Sequence, residues 1–300
     1  MHPLSGVYAA AVTPLKADFC PDLDAIPLLL DYLARRGCHG ALLLGTTGEG
    51  PSFSPEEREQ ILRAGLQVRA AHPAFHLLAG TGTPSLSETA LLTRRAFELG
   101  YDGVLVLPPY YYRQAKEEGL LAYFSALIRQ AVPADGLLFI YHIPQLTGIP
   151  LSVGWLKRLQ AAFPRQFAGI KDSSHDADFG RRLGEGFGEE LGIFTGVDSF
   201  FLAALDLHAA GCITAPANLI SPDLRRIWDA RRAGEDAAAL QARVSAIRNV
   251  LEKYPPFPPA LKALFARQGA FPRWPVRPPL ADLEADRTEQ VAQELAEYGF

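Results

Sequence analysis

The feature that most constrains the fold is a repeated alternation of short apolar segments with amphipathic helical segments. The apolar segments are continuous rather than alternating with polar residues, which predicts strands that are buried on both faces. Between them, apolar residues recur at helical spacing. Eight strands are predicted, at residues 6–13, 40–45, 76–80, 103–107, 137–141, 167–171, 192–195 and 211–214.

Repeated strand–helix units joined by short loops require parallel strands and right-handed crossovers. Eight such units fit a closed (β/α)8 TIM barrel, in which the helices surround the strands. The alternative is an open, doubly wound sheet, which typically carries a glycine-rich phosphate loop after a strand. Because no G-x-G-x-x-G motif stands in that context here, the sequence favours an α/β protein with a TIM barrel.

The helical segments divide the chain into two predicted units. Within the barrel, helices are predicted at residues 24–36, 55–71, 85–99, 117–132, 153–162 and 199–210. The second of these begins with a capping box, in which Ser54 is the N-cap residue and Glu57 is at N3. The strand pattern ends at residue 232, and helices are predicted at 236–252, 259–268 and 280–298. We therefore expect a catalytic barrel at residues 1–232 and a C-terminal helical appendage at residues 233–300.

Composition excludes several classes of function. The 300 residues are 48% apolar and carry a formal net charge of -4, so no nucleic-acid partner is expected. No apolar run approaches the ~18 residues of a membrane span, and no signal peptide is recognisable. Cys20, Cys38 and Cys212 are widely spaced, which argues against disulfides or zinc and places the last two in the core. No histidine motif predicts a metal site, and a cytoplasmic protein is expected.

The sixth predicted strand ends at Lys171, one of six lysines in the chain. Functional residues of a (β/α)8 barrel collect at the carboxyl ends of its strands. An ammonium group is costly to bury, so a lysine in this place is a candidate nucleophile that forms a Schiff base with a ketone. The alternative is a lysine whose stem packs in the sheet and whose head reaches solvent. The other five lysines, including Lys262, are interpreted as ordinary helix and loop residues.

Three other strand ends carry groups suited to the same chemistry. The second strand is followed by a glycine-flanked turn with Thr46 and Thr47, which either binds a carboxylate or phosphate or is a plain tight turn. Three consecutive tyrosines at 110–112 follow the fourth strand, and at least one must face the mouth or a subunit contact. Tyr141 ends the fifth strand, where its phenol is a plausible acid–base partner for Lys171.

Taken together, these motifs resemble those of the dihydrodipicolinate synthase/N-acetylneuraminate lyase family of pyruvate-dependent class I aldolases. The segments GTTGE, PPYYY, YxIPxxTG, GIKDSS and TGVDSFFLAALDLHAAGCIT occur in that order, and the similarity covers nearly the whole chain. The resemblance implies that Lys171 forms a Schiff base with pyruvate or another 2-keto acid. It also implies an aldehyde as the second small-molecule partner, and no cofactor besides the covalent Schiff base.

The resemblance implies roles for further residues. Tyr141 matches the phenol that shuttles protons, and Thr46 matches the hydroxyl that relays them. Thr47 matches the residue that helps to hold the substrate carboxylate, with Gly48 in the same turn. The backbone of Ile213 is expected to line the site near the imine.

The resemblance also implies an assembly. Tyr111 resembles the tyrosine that crosses a tight dimer contact and completes the proton relay of a neighbouring subunit. Tyr110 or Tyr112 are alternatives, because the loop differs slightly in length from that of some relatives. A homotetramer built as a dimer of dimers is therefore expected.

Two positions, Leu146 and Ser199, narrow the choice of substrate. The synthase branch has an arginine for the carboxylate of aspartate semialdehyde where this chain has Leu146, which cannot bind a carboxylate. After the pair Gly196 and Asp198, the sialic acid lyase branch has a glutamate where this chain has Ser199. Both features are more similar to aldolases that act on 2-keto-3-deoxy sugar acids. His142, where asparagine is usual, either donates to a substrate hydroxyl or bonds to the backbone.

The predicted function is therefore cleavage of a 2-keto-3-deoxy sugar acid to pyruvate and an aldehyde. Dihydrodipicolinate synthase, N-acetylneuraminate lyase, and a dehydratase or hydratase-aldolase of the same family are alternatives. A non-catalytic binding protein that kept the barrel is a further alternative from a different class. The joint presence of Lys171, Tyr141, Thr46 and Thr47 argues against that last interpretation.

Overall fold

A computed structural model describes residues 2–300, and in these residues eight parallel strands close into one barrel. Each strand pairs with its neighbours in the chain, and β8 closes the barrel against β1. The predicted (β/α)8 TIM barrel is therefore confirmed. The strands are β1 Gly6–Ala10, β2 Gly40–Leu43, β3 His76–Gly80, β4 Gly103–Val106, β5 Leu138–His142, β6 Phe167–Asp172, β7 Gly192–Thr195 and β8 Gly211–Thr214.

Helices follow the strands and continue beyond the barrel. Two predicted helices are shorter than expected, because 3-10 turns at Leu66–Ala70 and Asp198–Phe200 occupy part of each. The capping box is confirmed, since the side chains and backbones of Ser54 and Glu57 bond reciprocally. The helices are α1 Ala25–Arg35, α2 Pro55–Gly65, α3 Leu86–Glu98, α4 Glu117–Ala131, α5 Pro144–Thr147, α6 Val153–Ala162, α7 Ala177–Phe187, α8 Phe201–Asp206, α9 Ala217–Ala233, α10 Ala238–Leu251, α11 Phe257–Arg267 and α12 Ala285–Ala296.

The barrel interior is a packed core rather than a channel. Tyr8, Phe139 and Phe194 are fully buried there, and the ring of Phe194 meets the other two edge to face, at 5.7 and 5.6 Å between centroids. Gly169 leaves room for this cluster, because a Cβ atom there would lie 2.6 Å from the ring of Phe139 and closer still to a backbone carbonyl. The floor of the barrel mouth is therefore closed and apolar.

A bulge in β6 decides which face of the sheet Lys171 occupies. Ala168 is an extra residue with no register partner in β5, as expected for a β-bulge. Strict alternation from Phe167, which packs outside the barrel, would have placed Lys171 outside as well. The extra residue reverses that alternation, so Lys171 lies at the mouth beside its register partner Tyr141.

The C-terminal helices bond to residues at the barrel mouth. Arg248 of α10 pairs with Asp198, which follows β7, and Lys262 of α11 pairs with Glu49, which follows β2. The interpretation of Lys262 as an ordinary residue is wrong, because its side chain is 1% exposed. The segment predicted as an appendage therefore supports the face on which the strands end.

Two further expectations concern the cysteines and membrane-spanning helices. Cys38 and Cys212 are buried free thiols, which confirms their predicted place in the core. No helix within residues 2–300 is long and apolar enough to span a membrane.

Candidate active site

A cavity of about 390 Å³ opens at the carboxyl ends of the strands. This volume suits a small organic molecule. Residues from five strand ends line one part of it, and α10 and the segment 255–258 line the remainder. The predicted residues that line it are Thr46, Thr47, Tyr141, Lys171, Gly196 and Ile213.

Lys171 is buried in this cavity, with 4% of its surface exposed. Its Nζ atom lies 4.1 Å from the centroid of the Tyr141 ring. Unlike Lys262, it forms no ion pair with any carboxylate of residues 2–300. A buried amine that has no carboxylate partner and faces a cavity is chemically available for attack on a carbonyl.

Tyr141 is held among groups that favour its ionised form. Burial by itself raises the pKa of the phenol, but the charge of Lys171 and hydrogen bonds with Thr46, Ser173 and Lys171 outweigh it. The pKa of Tyr141 therefore lies below its ordinary value of 10.0. A phenol tuned in this direction, in contact with both an amine and a hydroxyl, can exchange protons with each.

The turn after β2 places two hydroxyls at the cavity, and contacts with other parts of the chain hold this turn in position. Thr46 is exposed and Thr47 is buried, and both line the cavity. Gly48 does not line it, but its carbonyl accepts a hydrogen bond of 2.6 Å from the Thr13 hydroxyl. Glu49 has a left-handed backbone conformation, with φ of 55°, and its carboxylate is bonded to α11. These contacts hold the two threonines in one geometry.

Two predicted substrate contacts lie outside the cavity lining. His142 is buried, its Nδ1 atom lies 2.8 Å from Asp172, and its Nε2 atom accepts the N–H of Leu151 at 3.3 Å. The carboxylate of Asp198 is fully buried and pairs with Arg248 at 2.6 Å. Burial raises the pKa of Asp198, and the charge of Arg248 opposes that shift. The structure favours a structural role for both residues over direct contact with a substrate.

The tyrosines after β4 also lie outside the cavity. Tyr111 and Tyr112 are 75% and 73% exposed, and their rings meet edge to face with centroids 5.2 Å apart. Tyr110 is partly buried, and burial raises the pKa of its phenol. Tyr111 and Tyr112 are therefore the two whose rings are exposed on the surface.

The structure adds residues that sequence reasoning missed. Ser173 lines the cavity, and its hydroxyl helps to lower the pKa of Tyr141; its place two residues after Lys171 on the same strand path was a usable signal. Arg248, Glu252 and Phe257 also line the cavity. No local pattern marked them, because they come from helices far along the chain.

Leu146, the residue that the sequence singled out for substrate choice, also lies at the cavity. Its side chain is 56% exposed and lines the cavity. The neighbouring Gln145 donates from Nε2 to the backbone carbonyl of Ser173 at 2.6 Å. An apolar side chain therefore occupies this part of the cavity lining.

Comparison with known proteins agrees with this arrangement. The model of the dihydrodipicolinate synthetase family matches residues 3–298. The chain belongs to that family. It is therefore a member of a family of lyases and aldolases, as the ordered motifs indicated.

The individual relatives do not identify one activity within this family. The chain is 41% identical to an uncharacterized DapA-like lyase of Chloroflexus aurantiacus, over 98% of this chain and 95% of the relative. It is 31% identical to 4-hydroxy-tetrahydrodipicolinate synthase 2 of Streptomyces coelicolor, over 99% and 96%. The crystal structure of YagE from E. coli K12 in complex with pyruvate is 26% identical, covers 98% of both chains and has a TM-score of 0.91.

Proposed function

We propose that this protein is a class I aldolase that cleaves a 2-keto-3-deoxy sugar acid to pyruvate and an aldehyde. The observation that carries the proposal is the buried, carboxylate-free Lys171 against Tyr141 at the mouth of the barrel. Pyruvate in the similar YagE structure is in keeping with a keto-acid substrate.

Each step uses a group of the site. The amine of Lys171 attacks the keto carbon, the phenol of Tyr141 gives its proton to the departing hydroxyl, and loss of water leaves a protonated imine and the phenolate of Tyr141. Tyr141, which contacts both Lys171 and Thr46, takes the proton from the substrate hydroxyl as the carbon–carbon bond breaks. The electron pair passes into the iminium to form an enamine, and the aldehyde leaves. Protonation and hydrolysis of the enamine release pyruvate and restore the amine.

Leu146 supports a sugar acid over aspartate semialdehyde. An apolar side chain makes no ion pair with a second carboxylate, whereas it does not prevent binding of a hydroxylated chain. The 31% identity to a protein named 4-hydroxy-tetrahydrodipicolinate synthase 2 makes the synthase reaction the second candidate. The two reactions are distinguished by the aldehyde that the pyruvate enamine accepts.

Borohydride trapping tests the proposal. Incubation with pyruvate and borohydride should add one reduced pyruvyl group, which peptide mapping should locate at Lys171. Lys171→Ala should form no adduct, whereas Lys253→Ala, an exposed lysine, should behave as the wild type. A folded wild-type protein without an adduct, or a wild-type turnover rate in Lys171→Ala, would contradict the Schiff-base mechanism.

We also propose that the functional assembly is a homotetramer in which Tyr111 reaches the site of a neighbouring subunit. The support is its 75% exposure on a loop at the strand ends, an unfavourable place for a large ring in an isolated subunit. Light scattering should give the mass of four chains, and Tyr111→Phe should lower turnover without changing that mass. A fully active monomer would contradict this assembly.

A further inference from the structure

One wall of the cavity carries a charged pair to which the proposed reaction assigns no role. Arg248 and Glu252 lie one helical turn apart at the end of α10, and both line the cavity. The Nε atom of Arg248 is 2.7 Å from Oε1 of Glu252. The arginine side chain is 5% exposed, whereas that of the glutamate is 40% exposed.

The guanidinium group of Arg248 is held rigidly. Its Nη1 atom donates to Asp198 at 2.6 Å and to the carbonyl of Gly196 at 3.4 Å, and its Cζ atom lies 5.4 Å from the centroid of the Phe257 ring. Nη2 has no hydrogen-bond acceptor in residues 2–300, and it is not among the enclosed unpaired atoms. This N–H group therefore faces open space, which beside Arg248 is the cavity.

Arg248 bonds to the barrel further out than the backbone of Lys171. Gly196 lies two residues beyond Phe194, the register partner of Lys171 in β7. At the rise of a strand, this is about 7 Å towards the mouth. A substrate bound as an imine to Lys171 would therefore meet Arg248 and Glu252 with its distal end rather than with its keto-acid end.

We propose that Arg248 and Glu252 bind a hydroxyl group in the aldehyde portion of the substrate and disfavour an aldehyde that carries a carboxylate. This inference rests on the proposed aldolase function and specifies its substrate class. A hydroxyl both donates and accepts a hydrogen bond. Nη2 of Arg248 supplies the donor, and Oε2 of Glu252, which has no bonding partner in the described part of the chain, supplies the acceptor.

Arg248 does not replace the arginine that is absent at Leu146. Two carboxylates, those of Asp198 and Glu252, flank its single guanidinium, so the ionised group carries one positive and two negative charges, a formal total of -1. A carboxylate in the cavity only accepts hydrogen bonds and would be repelled by Glu252. A neutral, hydroxylated chain is not repelled by Glu252, and it can donate a hydrogen bond as well as accept one.

The test compares two aldehydes in Glu252→Gln. We would measure kcat/KM for condensation of pyruvate with glyceraldehyde, which is neutral and hydroxylated, and with succinic semialdehyde, which carries a carboxylate. The variant should shift the ratio in favour of succinic semialdehyde by about tenfold, the order expected when a nearby charge is removed from a partly exposed site. A ratio within about twofold of the wild type would overturn the inference.

A matched control and a trapping assay separate the two proposals. Glu185→Gln breaks a similar pair with Arg181, four residues earlier on α7, and should leave the ratio unchanged. Glu252→Ala serves as a second variant with the same expected shift, should the first fail to fold. A wild-type pyruvyl adduct with an unshifted ratio overturns the inference about Arg248 and Glu252 and leaves the aldolase proposal intact. Absence of the wild-type adduct overturns both the aldolase proposal and the inference that rests on it.

Discussion

Replacing Lys262 with methionine should destabilise the protein by about 3–5 kcal/mol, the usual cost of removing one partner from a buried ion pair. The side chains of Lys262 and Glu49 are 1% and 0% exposed, and their charged atoms lie 2.5 Å apart. Methionine is close in shape to the lysine stem, so the packing of α11 should survive. The loss is therefore mainly electrostatic.

The bonds that remain set the size of this loss. Glu49 keeps one hydrogen bond, from the N–H of Arg277 at 2.7 Å, and the carbonyl of Pro275 loses its 2.7 Å donor. The double variant Lys262→Met with Glu49→Gln removes the stranded charge, so its cost should fall to about 1–2 kcal/mol. The double variant should therefore be about 2–3 kcal/mol more stable than Lys262→Met alone.

Urea unfolding at a fixed protein concentration measures these differences. Lys253→Met is the matched control, because Lys253 pairs with Glu294 at the same 2.5 Å but with 59% of its side chain exposed. That variant should lose no more than about 1 kcal/mol. A loss below about 1 kcal/mol for Lys262→Met, or a double variant less stable than the single one, would refute the reasoning.

Three further outcomes are expected. Tyr141→Phe should still form the trapped adduct but slow turnover by about 10², and unchanged turnover in a kinetic assay would remove Tyr141 from the proton relay. Leu146→Arg should create measurable condensation of pyruvate with aspartate semialdehyde; if it creates none, Leu146 is not what excludes that substrate. Burial lowers the pKa of His39 from 6.5 to about 4, and its Nδ1 atom accepts the N–H of Val7 at 3.0 Å. The unfolded chain then binds more protons between these values, so stability should fall as the pH drops from 6.5 to 4. His39→Gln should flatten this slope in unfolding experiments across the window, and an equal slope would contradict the assignment.

Much of the candidate site could be predicted because it follows strand ends. Thr46, Thr47, Tyr141 and Lys171 each come directly at or after a continuous apolar run, and the barrel brings such positions to one mouth. The direction in which a side chain points was harder to predict from the sequence. His142 follows Tyr141 directly, yet successive strand residues point to opposite faces, and its ring nitrogens bond to protein groups.

Contacts between distant segments could not be predicted. Asp198 was expected to meet a substrate, whereas its carboxylate pairs with Arg248 from α10. Lys262 gave no sign of burial, because its helical pattern does not reveal its partner Glu49, which lies 213 residues earlier in the chain. A buried charge must be paired with an opposite charge. In both cases, the sequence does not show which distant residue provides that partner.

The sequence by itself determined the order of strands and helices, and therefore the barrel, because local apolar patterns and short loops leave few ways to bury eight parallel strands. It also placed a lysine and a tyrosine at neighbouring strand ends. The tertiary structure alone decided that both face the same cavity. A single unpaired residue, Ala168, reverses the alternation in β6, and such a bulge depends on pairing with β5 and β7 rather than on the residues of β6 alone.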